Sequence, residues 1–428
     1  MSEIRKQNRE NKFIFGWLVV IGCMIIQAIP FGVASNIHPQ FISYVVEGEG
    51  FSLAQFSLMF TIGTIASSVA SPLIGRGFAK YPAKFLFLIG SIFSGGGILL
   101  LSLSHELWMF YLGYSIAQIG TVAISSIGIP LLITAWFDDD TKGQAMGLAF
   151  AGGSIGNIFL QQAVVRILFN YGYGKAYLWF SILSLIVGIV TSLLLIRMPK
   201  DESETIKNKA SKSKMKEKVP ISVDWGYTFG EVKGMASYWI YAVGFIFIGI
   251  YVSALAVQYP AYLRFIGFEP FSLAMVGSLF ALASLLGNII GGILFDKIGM
   301  IKTMIIGFIL ASLACICLIF SPQAPILAYV FAISKGLSVF AYMIAPSYLA
   351  GSLFGKKDFG TILAVSNIFF ALGFACGSTL FGIIVDSMGY LIAWPSMLIS
   401  IIIGYIMVLS VIGKMSETNR ERISRLQN

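Results

Sequence analysis

Apolar runs recur along this chain at a length that fits a membrane and little else. The first extends from Phe13 to about Ile37. Others follow at about 52–74, 84–103, 107–135, 143–168, 175–197, 237–262, 271–294, 303–320, 324–352, 359–385 and 389–413. Crossing the hydrocarbon core takes about 20 helical residues, so each run is expected to span. Inside lipid every backbone amide must be satisfied within the segment or within a closed barrel, and unbroken apolar runs lack the alternation of a barrel strand. Only 11% of the 428 residues are charged, against about 25% in soluble domains. The expectation is an all-α membrane protein of twelve transmembrane helices. The first run is too long for a signal-peptide core and has no small-residue cleavage site, so it is read as an uncleaved first helix.

The formal net charge of +9 raises the question of nucleic acid, and the placement of the bases answers it. All but four of the 29 Lys and Arg residues fall in the tails and even-numbered loops; the exceptions are Arg166, Lys175, Arg264 and Lys335. Short cytoplasmic loops collect Lys and Arg. This pattern puts both termini in the cytoplasm of a multi-pass protein of the cell membrane, with lipid and not nucleic acid as its surroundings. Glu47, Glu49, His105, Glu106 and Glu269 then lie outside. The organisation expected is an N-terminal six-helix half over 1–197, a Lys- and Ser-rich linker over 198–236, a C-terminal half over 237–413 and a cytoplasmic tail over 414–428. Cys23, Cys315, Cys317 and Cys376 all sit inside apolar runs, which reads as packing rather than a disulfide framework or a metal site.

The halves repeat at a constant offset of 217 residues. Gly75 falls on Gly292, Phe137 on Phe354, Gly143 on Gly360, Gly156 on Gly373, and the pair Gly172–Tyr173 on Gly389–Tyr390. A parallel repeat of six helices is an architecture of transporters, which place substrate at the repeat interface near the midplane. On these residues the chain resembles the major facilitator superfamily. That family's signature between helices two and three is matched by Gly292, Asp296, Lys297 and Gly299. In the first half Gly75 and Lys80 remain, while Ala79 and Pro82 replace the acid and the second glycine. In the family this motif helps hold one conformation, so these six residues are implied to be conformational.

The stretch from Trp136 to Gly156, WFDDDTKGQAMGLAFAGGSIG, is similar to the fourth loop and fifth helix of the monocarboxylate-transporter and oxalate/formate-antiporter group. Gly143, Gly147, Gly152 and Gly156 put small residues along this helix, which allows close approach of a neighbour. Two features depart from the group. Asp138, Asp139 and Asp140 stand where bases are usual, and nothing basic occurs between Phe271 and Phe295, where the group has an arginine.

Lys335 is the one charge near the middle of its run. At that depth a lysine costs about 2.5–3.5 kcal/mol on insertion scales and normally faces a bundle interior or a wet cavity. The resemblance implies that helices one, four, seven and ten line such a cavity. Their polar residues are the candidates for substrate binding: Lys335, Ser338 and Tyr342 at helical spacing on the tenth, Gln118 at the equivalent place on the fourth with Thr121 and Ser125, Gln27 and Asn36 on the first, Tyr251 and Gln258 on the seventh. Asn157 on the fifth lies at similar depth. Arg166, on the same helix, lies near the outer boundary, where it can either snorkel or meet substrate.

No Asp or Glu lies deep in any run, Asp386 at the outer end of the eleventh being the nearest. A midplane cation without a carboxylate calls for a small organic anion, a mono- or dicarboxylate, and the missing acids favour anion exchange or facilitated movement over proton symport. The expectation is a secondary transporter working by alternating access, without cofactor or metal, and a monomer. The alternatives are a carrier of neutral or drug-like compounds, a proton-coupled carboxylate symporter, and a channel or receptor-like sensor. The two histidines, His38 and His105, are far apart and placed near the outer boundary, with no paired acids, which speaks against an enzyme.

Overall fold

Runs of Leu, Ile, Phe, Ala and Gly uninterrupted by charge have one way to satisfy their backbones in lipid, and the chain takes it. The structure, a computed structural model, describes residues 15–137, 141–199, 226–355 and 357–427. The spanning helices are α1 (Phe15–Glu49), α2 (Leu53–Lys80), α3 (Ala83–Ser102), α4 (Leu107–Trp136), α5 and α6 (both within Lys142–Leu194), α7 (Ala236–Phe265), α8 (Pro270–Ile298), α9 (Met300–Phe320), α10 (Ile326–Phe354), α11 (Phe359–Met388) and α12 (Tyr390–Gln427). Eleven continuous segments are long and apolar enough to cross a membrane. One is 53 residues long and breaks at Gly172, where φ is 78°; at 1.5 Å per residue it exceeds twice the hydrocarbon thickness of about 30 Å. Split there, it supplies two crossings and brings the number to twelve. An isolated β bridge joins Gly226 and Gly355.

The chain divides into two units, Met1–Phe51 with Ile62–Lys218, and Ser52–Thr61 with Val219–Asn428. The first ten residues of this second grouping are the start of α2 and the residue before it. There the Asp386 carboxylate accepts hydrogen bonds from the amides of Leu53 and Ala54, at 3.3 and 2.9 Å, and so satisfies the free donors of a helix N-terminus. The second unit also takes in the end of the linker. The Tyr227 amide donates to the Phe354 carbonyl at 2.8 Å and its hydroxyl to Asn419 at 3.1 Å. Thr228 and Glu231 close a capping box over the next turn. The lysine-rich part of the linker and Asp138, Asp139 and Asp140 lie outside the described residues.

The repeat reappears in the backbone. Gly389, the counterpart of Gly172, turns between α11 and α12 with φ 77° and ψ 171°, against 78° and 173° at Gly172. Only glycine adopts this conformation readily. Helix contacts repeat too. A Cβ on Gly156 would meet the backbone of Ala28 in α1, and one on Gly373 that of Ile246 in α7. The close approach expected at the spaced glycines of α5 occurs at Gly152 and Gly156, which abut α1, but not at Gly147, which has nothing within 4 Å; the side of Gly143 lies outside what the structure describes. Five residues separate 147 from 152, which turns the Cα of Gly147 well away from the face that 152 and 156 share. The packing role expected of all four cysteines is likewise corrected at Cys376, which is exposed while the other three are buried. Gly373 and Gly377 abut Ile246 and Ile250 of α7.

Three helices that carry candidate residues are irregular. The α1 backbone widens to a π-helix over Gln27–Asn36 around Pro30, α4 does so over Val122–Ser126, and α10 breaks after Leu337 and again at Ile344, before Pro346. Such interruptions free backbone groups in mid-span and recur at functional positions.

Candidate functional site

Lys335 ends the first segment of α10, whose Ala, Phe and Ser neighbours are buried with it. Its side chain is 1% exposed, and among the described residues its ammonium has neither a hydrogen-bond partner nor an ion pair. Two tyrosine rings face it instead, with Nζ 4.8 Å from the centroid of Tyr251 on α7 and 4.9 Å from that of Tyr342 on α10. Ring faces attract a cation within about 6 Å. Each ring is held from behind: the Tyr251 hydroxyl donates to the Ala311 carbonyl of α9 at 2.5 Å, and Tyr342 stacks on Phe370 of α11 with the rings 12° apart. Tyr342 is half-buried whereas Tyr251 is fully buried, so Tyr342 borders the more open side. Lys335, Tyr342 and Tyr251 thus form one group in the second unit. Ser338 stands beside them, but its hydroxyl donates to the Lys335 carbonyl at 2.8 Å and is used within the helix.

The first unit holds the amides. Gln27 donates to the Ser125 hydroxyl at 3.0 Å and leaves its own buried oxygen unpartnered. Gln118 donates to the Ala34 carbonyl at 2.8 Å, across the π-helical part of α1, and Thr121 bonds the Gln118 carbonyl. Asn157 accepts from Gln161 at 3.0 Å. Gln161 also donates to the Asn36 carbonyl and accepts from Gln40 at 2.7 Å, which ties α5 to the end of the π segment. Arg166 is exposed and stands apart from this buried set. Gln258, in the second unit, donates to the hydroxyls of Ser57 and Ser378 at 2.7 and 3.0 Å.

Gln161 and Gln40 escaped the reading of the sequence, although Gln161 stands one helical turn beyond Asn157 and spacing alone points to it. The burial of His38 also escaped it. The apolar run stops at Ile37, whereas α1 continues through a short 3-10 segment to Glu49. His38 is 1% exposed, eleven residues short of that end.

Of the conformational motif, Gly299 makes the α8–α9 turn at φ 79°, and its counterpart Pro82 makes the α3 start at φ −58°. The first half therefore builds its turn by a route that needs no glycine. Gly75 and Gly292 present open faces, the Lys80 ammonium lies 5.6 Å from the Tyr81 ring, Lys297 is exposed, and the side chain of Asp296 lies outside what the structure describes.

Twelve crossings, a six-helix repeat with matching turns, and a buried cation on an interrupted helix define a polytopic carrier. The sequence profile of the Major Facilitator Superfamily matches residues 20–279 and 242–425, and the chain belongs to that superfamily. It is similar to the uncharacterized MFS-type transporter YhjX of Escherichia coli (strain K12), 23% identical over 377 residues and 85% of each chain. It is also similar to monocarboxylate transporter 13 of Bos taurus, 24% identical over 304 residues, covering 69% of this chain and 67% of that one. Among solved structures, a bacterial homolog of the human lysosomal transporter Spinster superposes with a TM-score of 0.74 at 13% identity, covering 93% of this chain and 97% of the other. The chain is a multi-pass membrane transporter, not an enzyme, and it resembles the monocarboxylate-transporter group.

Proposed function

We propose that this transporter carries a small organic anion, a mono- or dicarboxylate, bound by the Lys335 ammonium between the rings of Tyr251 and Tyr342. The observation that carries the reading is that ammonium: fully buried, with two aromatic faces and no acid or hydrogen-bond acceptor. Ring faces offset part of the desolvation of a cation but supply no acceptor for its three donors. A carboxylate supplies acceptors and charge together, in a charge-assisted bond of about 2.8 Å. The cycle we infer is alternating access in the cell membrane, with both termini cytoplasmic and the protein a monomer. An emptied site leaves the cation bare in a dry interior, so returning loaded is favoured over returning empty. That makes exchange the default mode. The likeness to monocarboxylate transporter 13 supports the substrate class.

The test is counterflow of labelled oxalate and lactate in proteoliposomes, with a panel of unlabelled carboxylates and neutral analogues as competitors. Carboxylates should compete and Lys335→Ala should abolish counterflow while the protein stays folded. Competition by neutral analogues alone would make Lys335 structural and the protein a carrier of neutral or drug-like compounds. Uptake without counterflow would indicate a channel.

A further inference from the structure

An anion cannot meet the Lys335 ammonium as it stands. The side chain is 1% exposed, so one of its walls has to move before a carboxylate comes within bonding distance. The walls differ in how firmly they are held. Tyr251, on the continuous helix α7, is fully buried and tied through its hydroxyl to the Ala311 carbonyl at 2.5 Å. Cys315 of α9, which interacts electrostatically with the ammonium, is buried and donates to the Trp394 carbonyl of α12 at 3.4 Å. Ser338 is buried and bonded within its own helix.

Tyr342 is held least. It belongs to Phe340–Met343, a single turn isolated between the two breaks of α10. The turn is anchored on one side. A Cβ on Gly291 of α8 would run into Phe340 and one on Gly307 of α9 into Ala341, while Met343 is exposed. The Tyr342 ring is half-buried, and among the described residues its hydroxyl makes no hydrogen bond. Two contacts of its ring face remain: the ammonium at 4.9 Å, and Phe370 with ring centroids 6.1 Å and planes 12° apart. Phe370 is a fixed shelf, because Gly249 of α7 abuts its carbonyl.

We propose that the Tyr342 side chain is a lid on the Lys335 site: stacked on Phe370 it seals the ammonium, and rotating off that shelf it admits a carboxylate. The backbone of the turn stays where Phe340 and Ala341 pin it, and the motion is a change of side-chain rotamer. Stacking and the cation–π contact hold the ring shut without a directional bond. An arriving carboxylate gives the ammonium a charge-assisted bond, so an anion is what offsets the loss of the stack. The lid rests on the anion reading for its purpose, and on the packing of the second unit for its motion.

Chemical access to the amine reads the lid directly. In nanodiscs, labelled formaldehyde with a borane reductant methylates lysines, and mass spectrometry of the peptide carrying Lys335 gives its rate against that of the exposed Lys297. Phe370→Leu removes the shelf and none of the walls, so Lys335 should react about two- to tenfold faster, the factor by which an aromatic stack favours the closed ring. Phe370→Tyr, which restores a ring, should return the wild-type rate. Tyr342→Ala should be faster than either, and Tyr251→Phe, which keeps its ring, should match wild type; circular dichroism and melting curves check that each variant is folded. Equal rates in wild type and Phe370→Leu would make Tyr342 a fixed wall and overturn the lid, as would a gain in Tyr251→Phe as large as that in Tyr342→Ala. Lactate or oxalate should slow the labelling of wild type. Protection by neither, with no counterflow of either, would sink the anion reading, and the comparison of rates would still decide the lid.

Discussion

Replacing Lys335 by Met keeps the stem and removes the ammonium, and its effects on stability and transport should run in opposite directions. Insertion scales charge about 2.5–3.5 kcal/mol for a lysine at this depth. Ring faces at 4.8 and 4.9 Å return about 1 kcal/mol each, midway between exposed and desolvated cases. About 1 kcal/mol of uncompensated cost remains, and Lys335→Met recovers it. For a half of this size that is about 2 °C in Tm. With oxalate at about 100 times its Kd, wild type should gain about 2.7 kcal/mol, whereas the variant should gain nothing. The two melting curves should therefore cross: the variant melts higher without anion, the wild type higher with it. Differential scanning fluorimetry in detergent with and without oxalate or lactate reads both, and counterflow reads function. A variant that melts several degrees below wild type without anion would mean that the protein itself satisfies the ammonium. Wild-type exchange by the variant would remove Lys335 from the site.

Three further outcomes follow from the packing. Gly156→Leu and Gly373→Leu should each cost about 1–3 kcal/mol or more, because their Cβ atoms meet the backbones of Ala28 and Ile246; Gly147→Leu, with open space around it, should change Tm by less than a degree or two. Gly172→Ala and Gly389→Ala, at φ 78° and 77° with ψ near 173° and 171°, should lower stability by about 1–3 kcal/mol each, the cost of a region open almost only to glycine, as read by thermal melts. Tyr251→Phe should retain anion binding in the fluorimetric assay and lose about 1 kcal/mol of stability with its bond to Ala311, whereas Tyr251→Leu, which removes the ring face, should weaken binding several-fold.

What the sequence yields follows from which forces are local. Helix number and position were legible because lipid imposes a length, and the junction at Gly172 was marked by its match to Gly389. Tyr342 was legible beside Lys335 because it shares a helix with it at a spacing of seven; Tyr251 came from the family resemblance. The internal pairing of the amides was not legible. Gln27 with Ser125 and Gln118 with Ala34 depend on how far each helix is rotated toward its neighbour, and the π segments of α1 and α4 shift that rotation without any signature in hydropathy. The burial of His38 was not legible for a related reason. Proline and polar residues ended the apolar run, but helix continued past them.

The matched turns at Gly172 and Gly389 carry a consequence for how such a carrier changes its diet. The turn glycines Gly172 and Gly389 and the contact glycines Gly156 and Gly373 recur in both copies of the repeat, while Gln118 answers to Lys335 and the buried Leu255 to His38. On the proposed anion reading, architecture and selectivity are stored at separate positions. A lineage can exchange one cation, or move an imidazole from one copy to the other, without re-solving how the helices meet. The tolerance for new cargo is built into the duplication.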